Sequence, residues 1–345
     1  MGKRWHDVAS PSINRGKRAG LVIGSMVAAW LSGAPAADGQ TVTEIVATAT
    51  SDPDRVALTD VILTGTSPDC ADHAFTYVSE VEDLQQIRVY PGAVIVTSDA
   101  NTCRILSNSI PNHSFGAGSA RDFATPVAEI AADFTIPRQP QAAARPSALS
   151  HGRFDAVLLN GVVVHILAAG CYNPDGRRSD QYGNVMSGCR ANDPWLLDPM
   201  SPWVSFQEDD HHGHAQPDGR YHYHGNPMAL FDDAPGPDGS PVIGFAADGF
   251  PIFGSYFRDE TGTVRKAISG YVLRDGERPD GYGDPGGTYN GMYRADYAFV
   301  GTGDLDECNG MTVNGVYGYY VTDTFPWILA CLTGTPDSSF ERGAQ

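Results

Sequence analysis

The chain has 345 residues, 41% of them hydrophobic, with 39 Gly, 24 Pro and a formal net charge of −18. That length suits one large domain or two ordinary ones. So acidic a surface argues against nucleic acid and anionic membrane surfaces as partners and favours an accumulation of cations.

Residues 1–36 read as a secretory leader. Lys3, Arg4, Arg15, Lys17 and Arg18 form a basic region, Ala19 to Leu31 an apolar run, and Ala34-Pro35-Ala36 a small-residue cleavage site. The run is shorter than the roughly 20 residues a transmembrane helix needs, so no membrane span is expected. The leader lacks a twin-arginine pair, which points to general secretory export, to periplasm or medium, with cleavage near Ala36. Its loss removes five Lys/Arg and one Asp and moves the net charge to about −22. Cys70, Cys103, Cys171, Cys189, Cys308 and Cys331 all lie beyond it. An even number in an exported chain implies disulfides. The sequence does not choose among the pairings, and the sequential set Cys70–Cys103, Cys171–Cys189, Cys308–Cys331 is the expectation.

Short apolar runs between Gly/Pro-rich turns, without a long helical period, predict an all-β fold. It is expected to be mainly antiparallel, loop-rich and disulfide-braced, with few short helices. Residues 37–85 read as an N-terminal β extension, with Thr43-Glu44-Ile45-Val46-Ala47-Thr48 and Val56-Ala57-Leu58 as alternating segments. The main domain is placed at 86–335, before a tail at 336–345. It opens with strand-like runs at 87–90, 93–97 and 104–107, then the turn-rich Asn108-Ser109-Ile110-Pro111-Asn112-His113. Taken locally, His113 reads as a surface loop histidine. Ala117 to Ala132 is the best helix candidate, and Pro137 to Ser150 reads as a Pro/Ala-rich connector. Val157 to Leu167 predicts two strands joined by a tight Asn160-Gly161 turn. His165 sits in its apolar second strand and reads as a satisfied core histidine. The loop from Cys171 to Cys189 lacks EF-hand spacing, so a disulfide-closed loop is favoured over a calcium site.

Half of the ten histidines fall between Asp210 and Gly225: His211, His212, His214, His222 and His224. Pro217-Asp218-Gly219 has the chemistry of a three-residue hairpin loop, proline setting the first turn position and glycine the left-handed third. Gln216 then faces Arg220, His214 faces His222, and His212 faces His224. Alternation places the four imidazoles on one face and Tyr221 and Tyr223 on the other. Opposed side chains have Cβ atoms only about 5 Å apart, and neutral imidazoles that close offer lone pairs to a transition metal. An all-nitrogen set favours copper or zinc, with His214, His222 and His224 as ligands and His212 or His113 completing the site. Surface or core histidines are the competing account.

Downstream, Asp248 lies inside the apolar stretch from Val242 to Gly254. A buried carboxylate needs a partner, and metal-bound histidines commonly donate their free N–H to one. Asp248 is therefore the candidate for orienting a ligand or acting as base. The C-terminal part echoes the hairpin: without gaps, Asp210, Gly219, Tyr221 and Tyr223 align with Asp306, Gly315, Tyr317 and Tyr319. His212, His214, His222 and His224 then align with Cys308, Gly310, Gly318 and Tyr320, so one site is expected, not two. Gly281 to Gly286 matches a dinucleotide fingerprint in letters only, with no helix pattern after it. There is no G-x-S-x-G element and no P-loop.

These blocks resemble the YHYH-domain family of secreted bacterial and algal proteins, over roughly Val89 to Gly334. The likeness rests on Ser107-Asn108-Ser109-Ile110-Pro111-Asn112-His113, Leu159-Asn160-Gly161-Val162, the stretch from His214 to Pro227, the stretch from Ser240 to Ile252, Cys308-Asn309-Gly310 and Thr322-Asp323-Thr324-Phe325-Pro326. Family members often carry Gly where Ser109 stands, and many repeat Tyr-His-Tyr-His where this chain has Tyr317-Gly318-Tyr319-Tyr320. The resemblance implies a domain extent rather than a reaction, and it brings His113 into the motif set. Two functions follow as expectations. One is an exported metal-binding protein, a metal-dependent hydrolase or a metal handler. The other is a non-catalytic recognition module for a glycan, a small molecule or a cell-surface partner, with Trp195, Trp203, Tyr282, Tyr289 and Tyr293 as stacking surfaces.

Overall fold

The computed structural model describes residues 40–116 and 122–344. The leader expected at 1–36 lies outside them, as does the start of the helix candidate, 117–121. From residue 122 to 131 the chain is not helical, its backbone donors going to neighbouring segments instead: Ala128 N–H to the Gly219 carbonyl and Ile130 N–H to the Asn108 carbonyl.

The α-helix among the described residues, α1 (Val42–Ser51), falls in the segment expected to be a β extension. Thr41 caps it, its hydroxyl accepting from the Glu44 N–H while the Glu44 carboxylate accepts from Thr41 N–H. That reciprocal capping box outweighs the β-branched composition. Ile45 and Ala49, one turn apart, bury against Ala93 and Ala131, and Pro53 ends the run.

β1 (Val56–Ala57), β2 (Thr76–Asp83), β3 (Arg88–Ser98), β4 (Thr102–Ser107) and β5 (Ala132–Pro137) make a five-stranded sheet in sequence order. β2 pairs with β3 along the whole length of β2, so this sheet runs across the position where the extension was expected to end. β6 (Ala142–Ala148) occupies the expected connector and pairs with the last strand, at Cys331–Gly334. The second sheet has eight strands. β7 (Ala156–Leu158) and β8 (Val163–Val164) flank the Asn160-Gly161 turn, where Gly161 has φ +79°. After a short pair, β9 (Cys171–Tyr172) and β10 (Asn184–Val185), come β11 (Gly213–Ala215) and β12 (Tyr221–Tyr223). β13 (Val242–Ala246) and β14 (Pro251–Phe253) follow, then the small hairpins β15 (Tyr256–Arg258) with β16 (Val264–Lys266) and β17 (Tyr271–Leu273) with β18 (Tyr297–Phe299). β19 (Gly310–Val313), β20 (Val316–Tyr320) and β21 (Cys331–Gly334) close the chain. One continuous apolar core, from Leu58 through Phe134, Val157 and Tyr223 to Phe340, spans both sheets. Phe340, in the expected tail, is fully buried. The disulfides are Cys70–Cys103, Cys171–Cys189 and Cys308–Cys331.

The eight-stranded sheet is ordered β11-β12-β8-β7-β13-β14-β20-β19, which reads as the same four-strand unit twice about a central two-fold. At the centre Val157 pairs with Phe245, Ala156 with Ala246 and Leu158 with Gly244. β12 lies parallel to β8, and β20 lies parallel to β14. Asn160-Gly161 thereby matches Asp248-Gly249, and Tyr223 matches Tyr319.

The structure corrects the ungapped alignment of the hairpins. Asp209, not Asp210, matches Asp306: each carboxylate accepts the hydroxyl of the hairpin's first tyrosine, Tyr221 or Tyr317. The next corner is held by His212 N–H donating to Asp209 and by Asn309 N–H donating to Asp306, both residues with positive φ. The first hairpin turns through three residues and the second through two, Asn314-Gly315, between the pairs Gln216–Arg220 and Val313–Val316. The first strands are thus out of step by one residue. His214 corresponds to Met311, paired with Gly318 as His214 is paired with His222.

Candidate metal centre

The hairpin register is the one expected. His214 faces His222, Ala215 faces Tyr221, and the His224 N–H donates to the His212 carbonyl. Three imidazoles converge: His222 Nε2 lies 3.1 Å from His224 Nε2, which lies 3.2 Å from His214 Nε2. Among the described residues these three form a group that could hold a metal ion. Two further groups each contain a disulfide-bonded cysteine pair, Cys70–Cys103 or Cys171–Cys189, whose sulfurs are engaged in the bond.

His222 and His224 are buried, 3% and 2% exposed, while His214 is half-buried. Burial, reinforced by the neighbouring imidazoles, holds the pKa of His222 and His224 well below the usual histidine value. Burial also lowers that of His214, against the opposing pull of the Phe206 carbonyl. All three are neutral at pH 7 and carry lone pairs. His214 Nδ1 hydrogen-bonds the Phe206 carbonyl, which puts its proton on Nδ1 and leaves Nε2 bare. His222 Nδ1 and His224 Nδ1 are buried without a partner in hydrogen-bonding geometry. The loop holding Phe206 is itself pinned by Glu208, whose carboxylate accepts the Phe206 N–H and which burial pushes up to about 7.

The other candidate residues lie elsewhere. His212 has φ +57°, which breaks the strand alternation, and its Nδ1 bonds the Asn226 carbonyl. His113 is buried on the tyrosine face, not exposed in a loop. Its Nε2 accepts from the Tyr223 hydroxyl at 2.6 Å and its ring stacks on His211 at 3.5 Å. Burial pushes its pKa down to about 3. Asp248 orients no histidine: it accepts from Tyr319 Oη at 2.6 Å and Gly334 N–H at 2.8 Å. It is the counterpart of Asn160, which donates to Tyr223 Oη at 2.9 Å. The residue sequence reasoning missed is His165. β8 lies beside β12 with Val163 opposite His222, so His165, two residues on, shares the histidine face. Its ring centre is 6.0 Å from that of His222. The alternation was legible in the strand, but not which strand would lie next to it.

Of the aromatic residues suggested for stacking, Trp195 and Tyr293 are buried together, with Tyr289 packed against them. Trp203 and Tyr282 are exposed.

Fold and site define an all-β, disulfide-braced domain that presents three clustered histidines on a hairpin at one edge of the larger sheet. The family described as YHYH protein matches residues 133–334, more than half of the chain, and the chain belongs to that family. The Asn108–His113 block precedes the matched span yet packs onto the back of the hairpin through His113 and Asn112, which accepts from Asn160. No curated protein and no solved structure matches the chain. Among the described residues no helix is long and apolar enough to cross a membrane.

Proposed function

We propose that this chain is an exported protein that binds one divalent transition metal, copper or zinc, through Nε2 of His214, His222 and His224. The observation that carries this reading is the convergence of three neutral Nε2 atoms at 3.1 and 3.2 Å, two of them on buried histidines and the third on half-buried His214. Tetrahedral coordination at metal–nitrogen bonds of about 2.0–2.1 Å separates ligand nitrogens by about 3.3 Å. The facing nitrogens cannot all satisfy one another, since His214 has committed its proton to Phe206, and buried lone pairs without donors are costly. A cation satisfies all three at once. Three protein nitrogens leave a coordination position open, and a metal so held acts as a Lewis acid on whatever binds there. The reading covers metal handling and metal-assisted hydrolysis alike. Three disulfides support export, because they persist in oxidising compartments.

The test is elemental analysis of untagged protein from the periplasm or medium, wild type beside His222→Ala/His224→Ala, with circular dichroism as the folding control. About one copper or zinc per chain, lost in the folded double variant, is the expected result. A wild type that takes up no metal after reconstitution and dialysis overturns it.

A further inference from the structure

The internal repeat separates scaffold from site. Asp209, Gly213, Tyr221, Tyr223 and Gly161 recur as Asp306, Gly310, Tyr317, Tyr319 and Gly249, the residues that shape the corner, the hairpin and the turn. What does not recur is the nitrogen set: His214, His222 and His224 stand where the second unit has Met311, Gly318 and Tyr320. His165 changes with them. Val164 pairs with Tyr223 as Ile252 pairs with Tyr319, so the next residue, His165, matches Phe253. Gln216, beside the hairpin turn, matches Val313. In the second unit these positions form an apolar cluster in which Phe253 stacks on Tyr320. His165 thus belongs to the face that differs between the two units, together with the triad it adjoins.

The bonding of His165 indicates its part. Arg342 Nη2 donates to Gln216 Oε1 at 2.6 Å, which fixes the amide so that its nitrogen faces His165 Nδ1 at 3.4 Å. Nδ1 is then the acceptor, and the ring proton sits on Nε2. That Nε2 is buried and has no partner. The Ser150 backbone acts weakly on the ring but makes no hydrogen bond of ordinary geometry with it. A buried N–H donor without an acceptor costs about as much as a lost hydrogen bond, unless something arrives to accept from it.

We propose that His165 is a positioning residue of the metal centre, whose Nε2–H donates to an oxygen of a small ligand, a carboxylate or a water, bound at the position the three histidines leave open. This rests on the metal reading above. It gives the site a preference for ligands whose metal-bound atom keeps a spare lone pair. Oxygen donors do so, whereas an imidazole nitrogen spends its lone pair on the metal.

The test uses the full mature chain loaded with cobalt(II), titrated with acetate and separately with imidazole, and read in the visible ligand-field bands. His165→Phe takes the residue of the matching position, so packing is kept, and His165→Gln retains an N–H. Wild type and both variants should hold about one cobalt. The Phe variant should lose about tenfold in acetate affinity, the effect of one hydrogen bond, while imidazole affinity stays within about twofold. The Gln variant should recover part of the acetate loss. Unchanged acetate binding in the Phe variant, or an equal fall for both titrants, overturns the donor role. Loss of cobalt from a folded Phe variant overturns it in favour of direct ligation. A wild type that binds no cobalt overturns the metal reading itself.

Discussion

His212 leaves the face that strand alternation assigns it, and His165 joins that face from the neighbouring strand. Alternation holds only while the backbone stays extended, and His212 sits at a corner with φ +57°, where Asn309 sits in the second hairpin with φ +72°. Nothing in the letters His211-His212-Gly213 marks that corner. The partner Asp209 reveals it, because its carboxylate accepts the N–H groups of His211 and Gly213. His212→Ala should therefore retain the wild-type metal content in elemental analysis, whereas His214→Ala should lose it. On the opposite face, Tyr223→Phe removes the oxygen shared by His113 Nε2 and Asn160 Nδ2. Denaturant unfolding should report a loss of about 1–3 kcal/mol, the usual result of orphaning buried polar groups. Metal content should be unchanged, since the tyrosine points away from the triad.

The hairpin was the most legible element, because a Pro-Asp-Gly loop fixes the register and register fixes the faces. Helix α1 was not, since alternating Thr, Val and Ile resemble a strand and the decisive capping box is only two residues. The repeat was half legible: the second strands align without gaps, but the unequal turns hide the one-residue step in the first. That step changes the reading of Asp248. As the counterpart of Asn160, it ties a turn to the hairpin tyrosine and to Gly334. Asp248→Asn keeps an oxygen for both donors and removes a carboxylate whose pKa burial raises. Its stability should fall within about 1 kcal/mol of wild type, while Asp248→Ala should cost about 1–3 kcal/mol. Neither should change metal content, and loss of metal from a folded Asp248→Asn protein would return the residue to the site.

Across the whole molecule, the sequence could not show which buried charges sit at the centre of the larger sheet. Asp155 is one of them, at the position that Ile243 holds in the second unit. Its carboxylate accepts the Ile166 N–H at 2.7 Å through one oxygen and leaves the other without a partner. Burial pushes its pKa up from 3.8 to about 7, against the Ile166 hydrogen bond and, after it, the charges of Arg153 and Arg294. A raised folded-state pKa means that the native state holds a proton the unfolded chain has released. This contribution is fully present below pH 3.8 and is lost as pH rises through about 7, amounting to about 4 kcal/mol over the window. His113 and His165, pushed down to about 3, act in the other direction and withdraw stability as pH falls below about 6.5. A wild-type profile mixes these slopes, so the comparison must be with Asp155→Asn, in metal-free protein. The unfolding free energy of wild type minus variant should decline steadily from pH 4 to pH 7 and level off above it. A difference independent of pH would mean that Asp155 is charged throughout, held so by Arg294 across the core of the sheet.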